Sequence, residues 1–283
     1  MTKIIEQATT NVAFTPYEIS LCLHDVRRTR MWKEAIEDVV KPGDVVIDAG
    51  SGTGILGVFA ALAGASRVYC IELHPRFVRL IQHLADRNGL GDKITVIHAD
   101  ATTVTLPEPA DVLISELLCT GQFFEPQVQV VNHLRKQLKP GARIVPQEVN
   151  SYMRLLDAQE MLYGVKIDCD SRSVVLDDDE AVSTRVLYDT IDFSDEHRLV
   201  IDTTVQVRAR TTRIADAVLV EGQAILAPGI KTYPTRFLYN PEVIFLREPL
   251  ELVAGKNYDL HVRYPYGADT LDAEISVTPA DEG

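Results

Sequence analysis

An α/β fold is what this sequence predicts: a Rossmann-like, doubly wound sheet within residues 1–145, followed by an antiparallel β-barrel-like domain over 146–283. Three observations predict it. Between positions 45 and 145, short apolar runs alternate with stretches of helical spacing, and strands alternating with helices imply a parallel sheet covered on both faces. Asp48, Glu72, Asp100 and Glu116 fall at successive predicted strand ends, the edge at which such sheets bind ligands. From about Arg198 onward the pattern becomes a series of strands separated by turn residues, the signature of a sandwich or barrel.

Each element follows from its residues. Val45-Val46-Ile47 is an apolar, β-branched run that fits a strand buried on both faces, and it leads through Asp48 into the turn Gly50-Ser51-Gly52-Thr53-Gly54. Ile55 to Ala63 reads as a helix with Gly64 as its stop. Arg67 to Ile71 is a second strand ending at Glu72, and Pro75 opens a helix that runs to about Asn88-Gly89. Lys93 to Ile97 and Asp111 to Ser115 are the third and fourth strands. Glu125 to Leu138 has helical spacing, with Lys139-Pro140-Gly141 ending it before a strand at Ala142 to Val145. Later strands are predicted at Leu199–Val207, Ala217–Ala227, Val243–Leu246, Tyr258–Val262 and Ala273–Val277, and the acidic run 177–180 as an exposed loop.

Composition narrows the function. The 283 residues are 46% hydrophobic, enough for a folded core. The run Ile55 to Ala65 is far short of the roughly 20 residues that cross a bilayer, so no membrane span is expected. The N-terminus lacks the features of a secretory signal, and a cytoplasmic location is expected. Cys22, Cys70, Cys119 and Cys169 are widely spaced, which points to free thiols and no metal site. A net charge of −13 opposes nucleic-acid binding and favours a cationic substrate. The basic cluster Arg27, Arg28 and Arg30 reads by default as a solvated helix face.

The chemistry concentrates at strand ends. A dinucleotide fingerprint G-x-G-x-x-G needs a glycine at position 55, where this chain has Ile. The G-x-G-x-G spacing suits a nucleoside cofactor that carries an amino acid in place of a diphosphate, and S-adenosylmethionine is the candidate. Glu72 is placed to accept hydrogen bonds from ribose hydroxyls, a device shared with NAD-binding proteins. Asp100 and the Ala101 amide are placed to read an adenine edge; a plain loop Asp is the alternative. Glu116 and Glu125 flank an apolar loop containing Gly121. If that loop folds back, two carboxylates face one point and require a cation between them, for which a planar guanidinium fits. Alternatively, Glu116 is only a strand-end carboxylate and Glu125 an acid favourable in a first helical turn. Cys119 has no accompanying base in sequence and reads as a packed side chain. His74 reads as a solvated helix-start residue and His24 as a packed or surface one, with a place beside the cofactor ribose and on the site wall as their respective alternatives, while Tyr163, Tyr239 and Tyr264 suit either a substrate groove or barrel core.

With these motifs, Asp48-Ala49-Gly50-Ser51-Gly52-Thr53-Gly54, Glu72 and Ser115-Glu116 through Glu125, the chain resembles the protein arginine methyltransferases over about residues 16 to 150. The resemblance implies a nucleotide-binding domain followed by a β-barrel, S-adenosylmethionine as cofactor and S-adenosylhomocysteine as product. It implies that Glu116 and Glu125, the family's "double-E" pair, hold a substrate guanidinium, and that Arg27, within Val26-Arg27, grips the cofactor carboxylate. The expected cofactor contacts are Arg27, Asp48, Gly50, Ser51, Gly52, Gly54, Glu72, Leu73, Asp100, Ala101 and Glu116. Two departures stand out. The family's Thr-His-Trp loop belongs near Thr235 to Tyr239, which here reads Thr-Arg-Phe-Leu-Tyr. The stretch after Pro146 is short for the family's dimerisation arm, so a homodimer is expected only with a reduced arm. Transfer to free arginine or another small guanidino compound, and cofactor binding without turnover, are the competing functions.

Overall fold

The computed structural model describes residues 3–7, 15–158, 161–166, 171–173, 181–232, 234–235 and 238–280. Cys169 and the acidic run at 177–180 lie outside them. The chain begins with β1 (Lys3–Gln7), α1 (Pro16–His24) and α2 (Val26–Val39). Then come β2 (Val45–Ala49), α3 (Ile55–Ala63), β3 (Arg67–Glu72), α4 (Pro75–Arg87), β4 (Ile94–Ala99), β5 (Ala110–Ser115), α5 (Gln127–Leu134) and β6 (Leu138–Val145). The six strands form one sheet in the order β1-β4-β3-β2-β5-β6, parallel throughout.

Packing explains the elements. All five residues of β2 are buried, as expected of a central parallel strand with helices on both faces. On α2, Trp32, Ala35, Ile36 and Val39 are buried, the i, i+3, i+4, i+7 stripe of a helix laid on a sheet. Each such large apolar side chain contributes about 1.5–3 kcal/mol on burial. Gly64 ends α3 at φ 115, with its N–H bonded to the Ala60 carbonyl.

Pairing turns antiparallel after Val145. The remaining strands are β7 (Glu148–Leu156), β8 (Met161–Leu162), β9 (Val165–Lys166), β10 (Ser171–Ser173), β11 (Val186–Asp192) and β12 (Val200–Arg208), then β13 (Ile214–Ala227), β14 (Ile230–Lys231), β15 (Glu242–Glu251), β16 (Asn257–Pro265) and β17 (Glu274–Pro279). One sheet runs β10-β15-β13-β7-β11, with β14 on β13, and a second runs β12-β16-β17. Packing of β11 against β12 and of β15 against β17 brings the two sheets into a barrel-like body.

Sequence reading misplaced some boundaries for identifiable reasons. The helix expected from Glu125 begins at Gln127, because a residue preceding proline is pushed out of the α region and Pro126 follows Glu125 directly. Lys139-Pro140-Gly141 lies inside β6, absorbed by a register irregularity against β5. Strands β1, β7 to β11 and β14 were not expected. β7 carries the buried polar residues Asn150 and Ser151, which break the apolar pattern; Asn150 is satisfied by Thr190, whose hydroxyl donates to it at 2.7 Å.

Candidate active site

Between β2 and β5 the strand order reverses, and beyond the carboxyl ends of β2 to β5 lies a cavity of about 470 Å³. Its walls come from the glycine turn, the loops after β3, β4 and β5, helix α1, and the barrel segment at 238–242.

The glycine turn is built for close approach. The amides of Gly50 and Ser51 both donate to the Ile71 carbonyl at 3.0 Å, docking the turn onto the end of β3. Gly50 has φ 70, and a Cβ there would stand 2.5 Å from Leu117 Cδ2; Gly52 has φ 52, with Ile19 2.9 Å from such an atom. Both glycines line the cavity, so any side chain would strain the backbone and crowd the site. Glu72 is oriented by two backbone donors, Gly52 N–H at 2.6 Å and His74 N–H at 2.7 Å. Burial raises its carboxyl pKa, and those two amides pull it back.

Arg28 is the lysine or arginine on the wall among the described residues. It is 6% exposed and ion-paired with Glu116, and its Nη1 donates to the Cys22 carbonyl at 3.3 Å. Its Nε has no hydrogen-bond partner, which leaves a buried donor beside the cavity for an anionic group. A carboxylate oriented for hydroxyls, a glycine cradle and a buried guanidinium together fit the ribose, close backbone contact and amino-acid carboxylate of S-adenosylmethionine.

The same cavity also carries acidic groups. Glu116, Glu125 and Glu242 line it together with Cys119, Thr120, Tyr239 and Asn240. Gln127 pins the base of the 116–125 loop: its Oε1 accepts from Ser115 Oγ and Leu117 N, and its Nε2 donates to the Ser115 carbonyl, all at 3.0 Å. The Thr120 hydroxyl donates to the Asn240 carbonyl at 2.7 Å, tying that loop to the barrel. Desolvation pushes the Glu125 carboxyl up to about 7, against the opposing pull of Arg28. Burial likewise lifts the Cys119 thiol to about 12, which leaves it un-ionised at neutral pH.

Most residues singled out from the sequence meet at this cavity: Gly50, Ser51, Gly52, Glu72, Leu73, Asp100, Ala101, Glu116 and Glu125 line it. Three do not. Arg27 is exposed and Arg28 takes the wall position, because one residue on an α-helix turns the side chain by about 100°. The solvated-face reading of Arg28 is corrected by the same observation. Asp48 is buried below the turn, accepting from Gly57 N–H at 2.9 Å, and so braces the start of α3. Gly54 has φ 81 at the N-cap of α3 and packs on Ile81, away from the cavity. His74, the N-cap of α4, lines the cavity, whereas His24 is exposed and outside it. Tyr163 is 98% exposed.

Tyr239, read as groove or barrel core, lines the cavity, while sequence reading missed Glu18, Ile19 and Cys22 of α1, and Leu238, Asn240 and Glu242. A signal for α1 was present. Thr15-Pro16-Tyr17-Glu18 is a capping box, with Thr15 N–H bonded to Glu18 at 2.8 Å. No local pattern marks the 238–242 segment.

Glu125 and Asp48 both titrate near 7 because burial disfavours their charged forms. Folded pKa values raised above the unfolded ones stabilise the fold at low pH, and that contribution is lost as pH rises through about 7. The thermal midpoint of the cofactor-free protein is expected to fall between pH 5 and pH 8, and Glu125→Gln to flatten part of that fall in calorimetric scans.

The family profile described as "Ribosomal protein L11 methyltransferase (PrmA)" matches residues 25–146. Over 268 residues the chain is 35% identical to "Uncharacterized protein MJ1452" of Methanocaldococcus jannaschii, covering 90% of this chain and 94% of that one. It is 34% identical over 145 residues to the "Arginine N(omega)-methyltransferase" of Streptomyces achromogenes subsp. streptozoticus, 50% of this chain and 40% of the relative. It is 37% identical over 134 residues to the "Probable protein arginine N-methyltransferase 6" of Arabidopsis thaliana, 46% and 31% of the two chains. The chain thus spans less than half the length of these two relatives. Among solved structures, it superposes on a chain of the Trypanosoma brucei PRMT1 enzyme-prozyme heterotetrameric complex with AdoHcy with a TM-score of 0.77 at 20% identity, covering 94% of both. The Arabidopsis thaliana protein arginine methyltransferase 10 gives 0.75 at 16% identity, covering 94% of this chain and 97% of that one. Fold, cavity and relatives agree: the chain shares a family with MJ1452 and belongs to the class I S-adenosylmethionine-dependent methyltransferases of the protein arginine methyltransferase-like type.

Proposed function

We propose that the chain transfers a methyl group to a guanidinium nitrogen held by Glu116 and Glu125. The observation that carries this is the meeting, in one cavity, of the glycine turn with two carboxylates contributed by a single folded-back loop. Bound S-adenosylmethionine supplies a methyl group made electrophilic by its sulfonium. The chain's own residues then have to align the acceptor and exclude water. Glu116 and Glu125 fix the planar cation through its donors, concentrate its charge away from the attacking nitrogen, and leave that nitrogen facing the methyl. As the new N–C bond forms and the S–C bond breaks, the nitrogen loses a proton. Glu125, its carboxyl pushed up to about 7, is matched to accept it at neutral pH. The arginine-modifying activities named for the Streptomyces and Arabidopsis relatives support the same acceptor group.

Free arginine or another small guanidino compound is the second reading. It is favoured by the Streptomyces relative's name and by the absence of His from Thr235 to Tyr239. Glu242 adds a third carboxylate at the acceptor end, which favours acceptors with a second positive charge. Glu242→Gln is expected to raise KM for such an acceptor by about three- to tenfold, the size of a partly solvated charge pair, in steady-state assays that leave cofactor affinity unchanged.

The test is to incubate the protein with S-adenosylmethionine and an arginine-rich peptide, free arginine or a guanidino amine, measuring S-adenosylhomocysteine. Acceptor-dependent product is expected with at least one of them. Cofactor binding without product from any would refute methyl transfer to guanidino groups.

A further inference from the structure

The 116–125 loop holds its second glutamate in a conformation that chain preference alone does not maintain. Gly121, Gln122 and Phe124 all have left-handed backbones, at φ 65, 57 and 61. Two of these are non-glycine residues, and such conformations persist only where the surroundings over-determine them. Those surroundings are the end of β16 and the turn after it. The Phe124 amide donates to the Ala268 carbonyl at 2.9 Å, and the Gly267 amide to the Gln122 carbonyl at 2.8 Å. The Tyr264 hydroxyl donates to the Gly121 carbonyl at 2.8 Å, and its ring stacks on Phe123 at 4.3 Å between centroids.

Tyr264 is itself braced. Its single hydroxyl proton is used on Gly121, so the contact with Tyr188, at 2.6 Å between oxygens, is a bond donated by Tyr188. Next to it, the Tyr266 hydroxyl donates to Asp189 at 2.6 Å, and Arg198 pairs with the same carboxylate at 2.6 Å. Tyr188, Tyr264 and Tyr266 are all buried.

We propose that Tyr264, backed by Tyr188, is a positioning residue through which the barrel holds Glu125 at the acceptor end of the cavity. The proposal rests on the guanidino methyl-transfer reading for its catalytic consequence, but its structural part is measurable without turnover. A barrel that touches the acceptor loop from behind fixes the second carboxylate relative to the parallel sheet that carries the cofactor site.

The experiment compares Tyr264→Phe, Tyr188→Phe and Val207→Ala in the full chain. Val207 is buried on β12 opposite Tyr258, six positions from Tyr264 and so about 20 Å along the strand; its truncation destabilises the barrel without touching the loop. Amide hydrogen exchange of the 119–125 segment is expected to accelerate at least tenfold in Tyr264→Phe, and less in Tyr188→Phe, relative to Val207→Ala. With an active acceptor, kcat is expected to fall about tenfold in Tyr264→Phe at unchanged S-adenosylmethionine affinity, and to stay within twofold of the unsubstituted protein in Val207→Ala. Unaltered loop exchange in Tyr264→Phe, or an equal kcat loss in Val207→Ala, would overturn the proposal. Absence of turnover from every acceptor, with loop exchange responding as stated, would refute the methyl-transfer reading while sustaining the clamp.

Discussion

Glu125→Gln is expected to reduce methyl transfer by about two to four orders of magnitude, the range lost when a positioned acid–base group is removed, while S-adenosylmethionine binds as before. Glutamine keeps the size and one acceptor oxygen but loses the charge that a guanidinium needs, and it cannot take the proton that leaves the nitrogen. Cofactor affinity is expected to change little, because the carboxylate at the glycine turn, Glu72, is oriented by Gly52 and His74 and not by Glu125. The fold is insulated as well: the carboxyl is pushed up to about 7 by burial, so replacing it by a neutral group removes a strained charge at pH 8. Steady-state kinetics with calorimetric titration of the cofactor check all three parts. Glu116→Gln is a less selective probe, since it also leaves the buried Arg28 without its carboxylate partner, and losing one member of a buried pair is costly to stability.

The largest expected effect on binding is at Glu72. Its two oxygens accept from Gly52 and His74, which orients the carboxylate toward the cavity and leaves lone pairs for a nucleoside's hydroxyl groups. Glu72→Ala removes those acceptors and loosens the turn that Gly52 belongs to. Hydrogen bonds to a charged group contribute about 1.5–3 kcal/mol each, so loss of two of them weakens S-adenosylmethionine by about 100-fold or more. Isothermal titration measures this directly. An unaltered dissociation constant would remove Glu72 from the cofactor site.

Legibility of the site in the sequence followed the distance over which each feature is determined. The glycine turn and Glu72 were readable because a strand, its terminal residue and the following turn are local, and parallel sheets bind ligands at that edge. Arg27 and Arg28 show where locality fails: both lie on the same helix, and the choice between them is a rotation that only the packing of α2 decides, with Trp32 and Ile36 fully buried. Glu242 and Asn240 were not legible as site residues at all, whereas Tyr239 was legible only as groove or barrel core. They reach the cavity because β15 pairs with β13, which sets Glu242 opposite Val220, and because Thr120 bonds across to Asn240, 120 positions away in the chain. In the fold, the parallel half was legible through its apolar runs, whereas β7 hid behind Asn150 and Ser151, polar residues the barrel buries.

The central claim is that one cavity holds S-adenosylmethionine at the strand ends and presents to its methyl a guanidinium held by the 116–125 loop. The most direct measurement is transfer from S-adenosylmethionine carrying a ¹³C-methyl group, with the product located by NMR in the protein and in Glu125→Gln. A new methyl signal on a guanidino nitrogen, present with the unsubstituted chain and lost with Glu125→Gln, is the predicted result. Label appearing on a carbon, an oxygen or a non-guanidino nitrogen, or transfer that survives Glu125→Gln unchanged, would contradict it.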